Sequence, residues 1–164
     1  MKFKLAISAA LVAAVGLVSP AANAAETEKL VVFQDTPVIV DHPDPDFESN
    51  KTGHVYYFAG DLRNAKAKKI GEVIGQVTTF DVSLDGADEE DRFRELVFNM
   101  AKGQIVAVGG SQYVADSVPD FASDESLVTA VVVGGTGDYV GVRGTVTTKQ
   151  RPNGEYRHTF RLMR

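Results

Sequence analysis

Short β-branched and aromatic runs recur about every ten residues along this chain, with turn-forming residues between them. The runs are Lys29–Gln34, Pro37–Asp41, His54–Gly60, Ile70–Leu84, Phe93–Met100, Gln104–Val114, Leu127–Val133, Tyr139–Lys149 and Tyr156–Leu162. That spacing predicts an all-β chain of eight or nine antiparallel strands. Asn153-Gly154 after Pro152 predicts a type I′ hairpin, and Lys102-Gly103 and Asp85-Gly86 are further turn signals. Only 64–69 has room for a helical turn, and 87–95 reads either way. So many short strands must resolve their edges by sandwiching or by closing into a barrel, and composition fits both.

The N-terminus follows other rules. Lys2 and Lys4 precede the uncharged stretch Leu5–Val18, and Ala22-Asn23-Ala24 supplies a small-x-small cleavage site. This predicts a secretory signal peptide over 1–24, a single domain over 25–164, and a secreted or periplasmic location. The apolar stretch is shorter than the roughly 20 residues a spanning helix needs, so no membrane partner is expected. Without residues 1–24 the chain loses two Lys and no acid, leaving 15 basic against 22 acidic residues. Nucleic acid and anionic membranes need a basic face, so neither is expected as a partner. The chain has no Cys, which removes disulfides, thiol nucleophiles and thiolate metal sites.

The motifs with chemical potential read mostly as structure. Val133-Gly-Gly-Thr-Gly137 resembles a phosphate cradle, but Asp138 stands where a cation is wanted and a strand follows, so a tight connection or bulge fits better. Asp81, Ser83, Asp85 and Gly86 match the start of a calcium loop, yet Arg92 occupies the position of the bidentate Glu. His42, His54 and His158 have no ligand spacing, so neither a metal nor a cofactor is expected. There is no G-x-S-x-G elbow, and Asn50-Lys51-Thr52 is a chance glycosylation match. Most of the nine Phe and five Tyr must pack the core. A closed barrel of about eight strands has an interior just wide enough for side chains or one small ligand. Tyr56 and Phe58, on one face of their strand with Tyr57 on the other, are the candidate pocket residues.

Three segments resemble the barrel shared by allene oxide cyclases and dirigent proteins. They are Gly60-Asp-Leu62 with Lys69-Ile-Gly-Glu-Val-Ile-Gly75; Asp91-Arg-Phe93 through Gly103-Gln-Ile-Val-Ala-Val-Gly109; and Ala130-Val-Val-Val-Gly-Gly-Thr-Gly-Asp-Tyr-Val-Gly-Val-Arg-Gly144. The third is similar to the dirigent "VVGGTGxFxxARG" element. The resemblance implies a closed antiparallel eight-stranded, calycin-like barrel, an apolar cavity, a small hydrophobic ligand and homo-oligomers such as trimers or dimers. It also implies isomerase or cyclase chemistry by confinement, which needs little acid–base machinery. Arg143 takes the place of the Arg of the dirigent element, which makes it a candidate substrate-binding residue. Strand alternation allows it to point inward, toward a carbonyl, phenol or carboxylate, or outward into solvent. Three functions stay open: an isomerase or cyclase, a non-catalytic carrier or guide, and a structural barrel filled by its own side chains. The strand glycines (Gly60, Gly71, Gly75, Gly109, Gly110, Gly141, Gly144) favour a cavity or, equally, serve as bends and bulges.

Overall fold

The computed structural model describes residues 26–40, 52–80, 89–114 and 127–164. The expected leader over 1–24, His42, Asn50 and the expected acidic turn Asp81–Gly86 lie outside the described residues. Nine strands follow one another: β1 (Thr27–Gln34), β2 (Val38–Val40), β3 (Val55–Arg63), β4 (Lys69–Phe80), β5 (Glu89–Met100), β6 (Gly103–Val114), β7 (Val128–Gly135), β8 (Arg143–Gln150) and β9 (Tyr156–Met163). A 3-10 turn, Gly137–Tyr139, links β7 to β8.

All pairings are antiparallel, in the order β1-β9-β8-β7-β6-β5-β4-β3-β2. Pairing of β1 with β3, through Phe33 with Arg63 and Gln34 with Leu62, closes eight strands into a barrel. β2 is the extra strand. It continues the path of β1 along β3, with Val38 opposite Ala59 and Ile39 opposite Phe58. The closed antiparallel barrel expected from the sequence is the fold found.

Polar groups fasten the closing seam. The Asp35 amide donates to the Asp61 carbonyl at 3.0 Å. Arg63 donates from Nε to Asp35 Oδ1 at 2.7 Å and from Nη2 to Oδ2 at 2.5 Å, the two-pronged geometry that suits guanidinium to carboxylate. Those hydrogen bonds hold the Asp35 carboxyl below the usual carboxylate range.

Strand alternation builds the core. Val32, Leu62, Val73, Phe98, Ile105, Val132, Val146, Phe160 and Leu162 face inward and are fully buried. Phe98 meets the Phe160 ring edge-on at 4.8 Å. Tyr139 and Val142, from the β7–β8 connection, join this cluster and close one end as a floor. The Val133–Gly137 run is structural, as read: β6 and β7 slip register beside it, and Thr136 exchanges hydrogen bonds with Gln104.

Three local expectations change. Tyr139–Lys149 is not one strand, because Gly137 (φ +59°) and Gly141 (φ +82°) adopt left-handed backbone and break the extended path before Arg143. Residues 64–68 form a tight turn instead of a helical one. Asn64 Oδ1 accepts from the amides of Lys66 and Lys68, and Ala67 takes φ +58°. The β8–β9 hairpin is not type I′. Its bonds run from Gly154 N to Arg151 O and from Arg151 N to Glu155 O, and only Gly154 has positive φ. Pro152 is suited to the second position of a type I turn, which leaves Gly154 for the bulge.

Gly144, at φ +141°, lies so close to β9 that an added Cβ would overlap the Arg161 carbonyl. Gly141 has positive φ but nothing within 4 Å. Gly141→Ala should therefore cost about 1–2 kcal/mol and Gly144→Ala at least about 2 kcal/mol more. Denaturant titration of both variants checks this, and equal losses would show that crowding against β9 is unimportant.

Candidate ligand site at the polar end of the barrel

The inward positions change character along the barrel axis. Apolar side chains fill the end floored by Tyr139 and Val142. Toward the opposite end, where β2, β4 and β6 finish and β3, β5 and β7 begin, the buried residues include His54, Thr79, Arg92, Arg94 and Thr148. Arg92 faces Thr79, and Arg94 faces Val77 on β4 and Gly109 on β6. The His54 ring, just before β3, lies 6.2 Å from that of Tyr56 on the strand. A small void of about 10 Å³, room for one water, is lined by Arg94, Leu96, Gly109, Gly110, Val128, Ala130 and Thr148.

A hydrogen-bonded chain crosses the boundary between the polar and apolar halves. Thr148 Oγ1 lies 2.9 Å from His158 Nδ1, and His158 Nε2 lies 2.9 Å from Gln34 Oε1. Phe98 packs edge-on against the His158 ring at 4.9 Å. Complete burial pushes the His158 pKa down to about 3, so the ring is neutral. Among the described residues, no group of three or more His, Asp or Glu side chains could hold a metal ion, and no helix is long and apolar enough to cross a membrane.

The candidate residues separate. Tyr56 and Phe58 both face inward and are each 3% exposed, and the Phe58 ring occupies the space that a side chain at Gly75 would take. Arg143 is on the outside. Even-numbered residues of β8 (Val146, Thr148) point inward, so Arg143 projects outward and Nη1 donates to the Val142 carbonyl at 2.8 Å. The inward pair of arginines, Arg92 and Arg94, escaped the sequence reading. Their signal was present: both fall in phase with Leu96, Phe98 and Met100 on one face of β5. His158 is likewise in phase with Tyr156, Phe160 and Leu162.

The outer wall carries a second feature. Val38, Ala59, Ile74, Val97 and Val106 are cross-strand neighbours in one row over β2 to β6. The first four of them, with Tyr57, Gln76 and Glu95, border a groove of about 450 Å³, where Val38 is 71% and Ile74 47% exposed. β8, β9 and β1 show a different exterior, with Arg143, Lys149, Arg157, Arg161 and Lys29 exposed.

A neutral His in the core makes stability depend on pH with a definite sign. Its pKa is about 6.5 in the unfolded chain and about 3 in the fold. The unfolded state therefore binds more protons between these values. The stabilisation is complete above pH 6.5 and is lost as pH falls toward 3. Between pH 7.5 and pH 4.5 the native protein should lose about 3 kcal/mol relative to His158→Gln, measured by denaturant unfolding of both. A gap unchanged with pH would mean that His158 is not a buried neutral ring.

No family model matches the chain, and no curated protein does. Solved structures do share its fold. A pyocyanin demethylase superposes with a TM-score of 0.62 at 21% identity, over 84% of this chain and 100% of the other. AbnU, an exo-specific intermolecular Diels-Alderase, gives 0.62 at 16% identity over 84% and 98%. The pterocarpan synthase dirigent protein GePTS1 gives 0.50 at 17% identity over 84% and 83%. The chain thus has the barrel fold of the dirigent type, common to these proteins.

Proposed function

We propose that this chain is an exported barrel that takes one small, largely apolar, oxygen-bearing molecule at its polar end. It acts there as an isomerase or cyclase by holding the molecule in one productive shape. The observation that carries this reading is the pair Arg92 and Arg94, both buried and facing into the polar end of the barrel. Burying guanidinium groups costs several kcal/mol each before their partners are counted. Two such groups at one end of the barrel support a site for a polar oxygen there. Around the arginines, Tyr56, Phe58 and Leu96 offer apolar walls, and Ile39, opposite Phe58, is half exposed at the rim. Three proteins of the same fold are described as a demethylase, a Diels-Alderase and a pterocarpan synthase, which supports small-molecule chemistry in such a barrel. Closing a ring depends chiefly on orientation, which a stiff cavity supplies. A carrier or guide would use the same pocket without turnover.

One observation favours the structural barrel instead: the void beside Arg94 admits only a single water. Native mass spectrometry of the mature chain, purified from its natural host, separates the readings. A retained lipophilic mass is expected. The probe 1-anilinonaphthalene-8-sulfonate should bind as well, about tenfold more weakly in Arg94→Gln. An empty protein that also refuses the probe would establish the structural barrel.

The outer row Val38–Ala59–Ile74–Val97–Val106 supports association of copies into dimers or trimers, since a contiguous exposed apolar patch is uncommon on monomers. Ile74→Glu should shift sedimentation to the monomer while leaving the unfolding midpoint of the monomeric barrel nearly unchanged. An assembly that survives the substitution would remove this face from the interface.

A further inference from the structure

The Thr148–His158–Gln34 chain fixes the direction of each proton along it. Gln34 Oε1 can only accept, so the proton of the His158 ring sits on Nε2 and is donated across 2.9 Å. Nδ1 is then an acceptor, and it takes the single hydrogen of the Thr148 hydroxyl across 2.9 Å. Burial keeps the ring neutral, so the order holds throughout the ordinary pH range. A threonine hydroxyl in water rotates and serves as donor or acceptor. This one is committed, and Thr148 Oγ1 has only lone pairs left to offer.

Thr148 lines the void of about 10 Å³, and so does Arg94, whose guanidinium can only donate. Gly109 keeps the space open, because an added Cβ there would crowd Ala130 at 3.0 Å. One void of the size of one oxygen atom is therefore lined both by a committed acceptor, Thr148, and by a donor-only side chain, Arg94. A water or a hydroxyl satisfies both sides. An ether, ketone or carboxylate oxygen satisfies Arg94 but turns lone pairs toward lone pairs at Thr148.

We propose that this void is a hydroxyl subsite, holding a water in the ligand-free protein and the phenolic, enolic or alcoholic oxygen of the ligand in the complex. The ligand half of the proposal rests on the reading that a small molecule enters the polar end. Within it, His158 is a positioning residue, acting through the hydroxyl it orients.

The test compares 2-naphthol with 2-methoxynaphthalene, which differ in the donor alone. The native protein and Thr148→Ser should bind the naphthol at least tenfold more tightly. Thr148→Val should bind the two alike, with its affinity for the ether unchanged. A preference that survives Thr148→Val, or is absent from the native protein, overturns the subsite. Nitrogen NMR of His158 should show the Nε2–H ring, and an Nδ1–H ring overturns the proton order from which the subsite follows. A high-resolution crystal structure without ligand should show a water between Thr148 Oγ1 and Arg94. If neither naphthalene binds while that water is present, the small-molecule reading fails and the ligand role of the subsite fails with it. If both bind alike and the void is dry, the subsite alone fails and the pocket stands.

Discussion

Everything inside this barrel depends on a seam of two residue pairs. β1 meets β9 along its whole length, from Thr27 to Gln34, yet meets β3 only at Phe33 and Gln34. The stagger that closes eight strands leaves the end of β1 facing the end of β3, and β2 then follows β3 onward. The Arg63 fork on Asp35 and the Asp35–Asp61 backbone bond sit at that junction. The ion pair is too exposed to supply much stability by Coulomb attraction alone. Its value is geometric, since it fixes register where few ladder bonds can. Without closure, β1 and β2 would both be edges, open to pairing with other chains.

Closure sets the interior volume, and the volume dictates what each inward position can hold. Phe58 is accommodated because Gly75 opposite has no side chain, and Phe98 fits edge-on between His158 and Phe160. With one end filled in this way, polar groups are concentrated toward the other. Burying them without partners would cost about 1–3 kcal/mol each. The Thr148–His158–Gln34 chain shows how that cost is offset, since each ring nitrogen has a partner at 2.9 Å. His158 stands where the gradient turns, with Phe98 on its edge and a hydroxyl on its nitrogen.

The strands were legible because their signal is local: alternation and β-branched composition survive any tertiary context that buries one face. The Val133–Gly137 connection was legible for a similar reason, as Asp138 stands where a phosphate cradle needs a cation. Arg143 was readable in principle, since Val142, Val146 and Thr148 share one phase of β8 and leave Arg143 to the other. The family likeness drew attention to its residue type instead of its phase. Arg92 and Arg94 were passed over because charge suggests exposure, although their spacing matched Leu96 and Phe98. The partners of His158 had no sequence signal. Gln34 lies 124 residues away and meets the ring only because β1 pairs with β9.

The same alternation separates the barrel interior from the outer groove. On β5, Arg94 and Leu96 face the interior while Glu95 and Val97 face the outer groove. A change at one position leaves the other face untouched, so the interior and the outer groove can vary independently along one strand. The exterior is itself divided: the apolar row spans β2 to β6, and the exposed cations lie on β8, β9 and β1. In a chain whose acids outnumber its bases by five, five cations on one flank cannot reflect overall composition. They keep that flank hydrated, on the side away from the row that includes Val38 and Ile74.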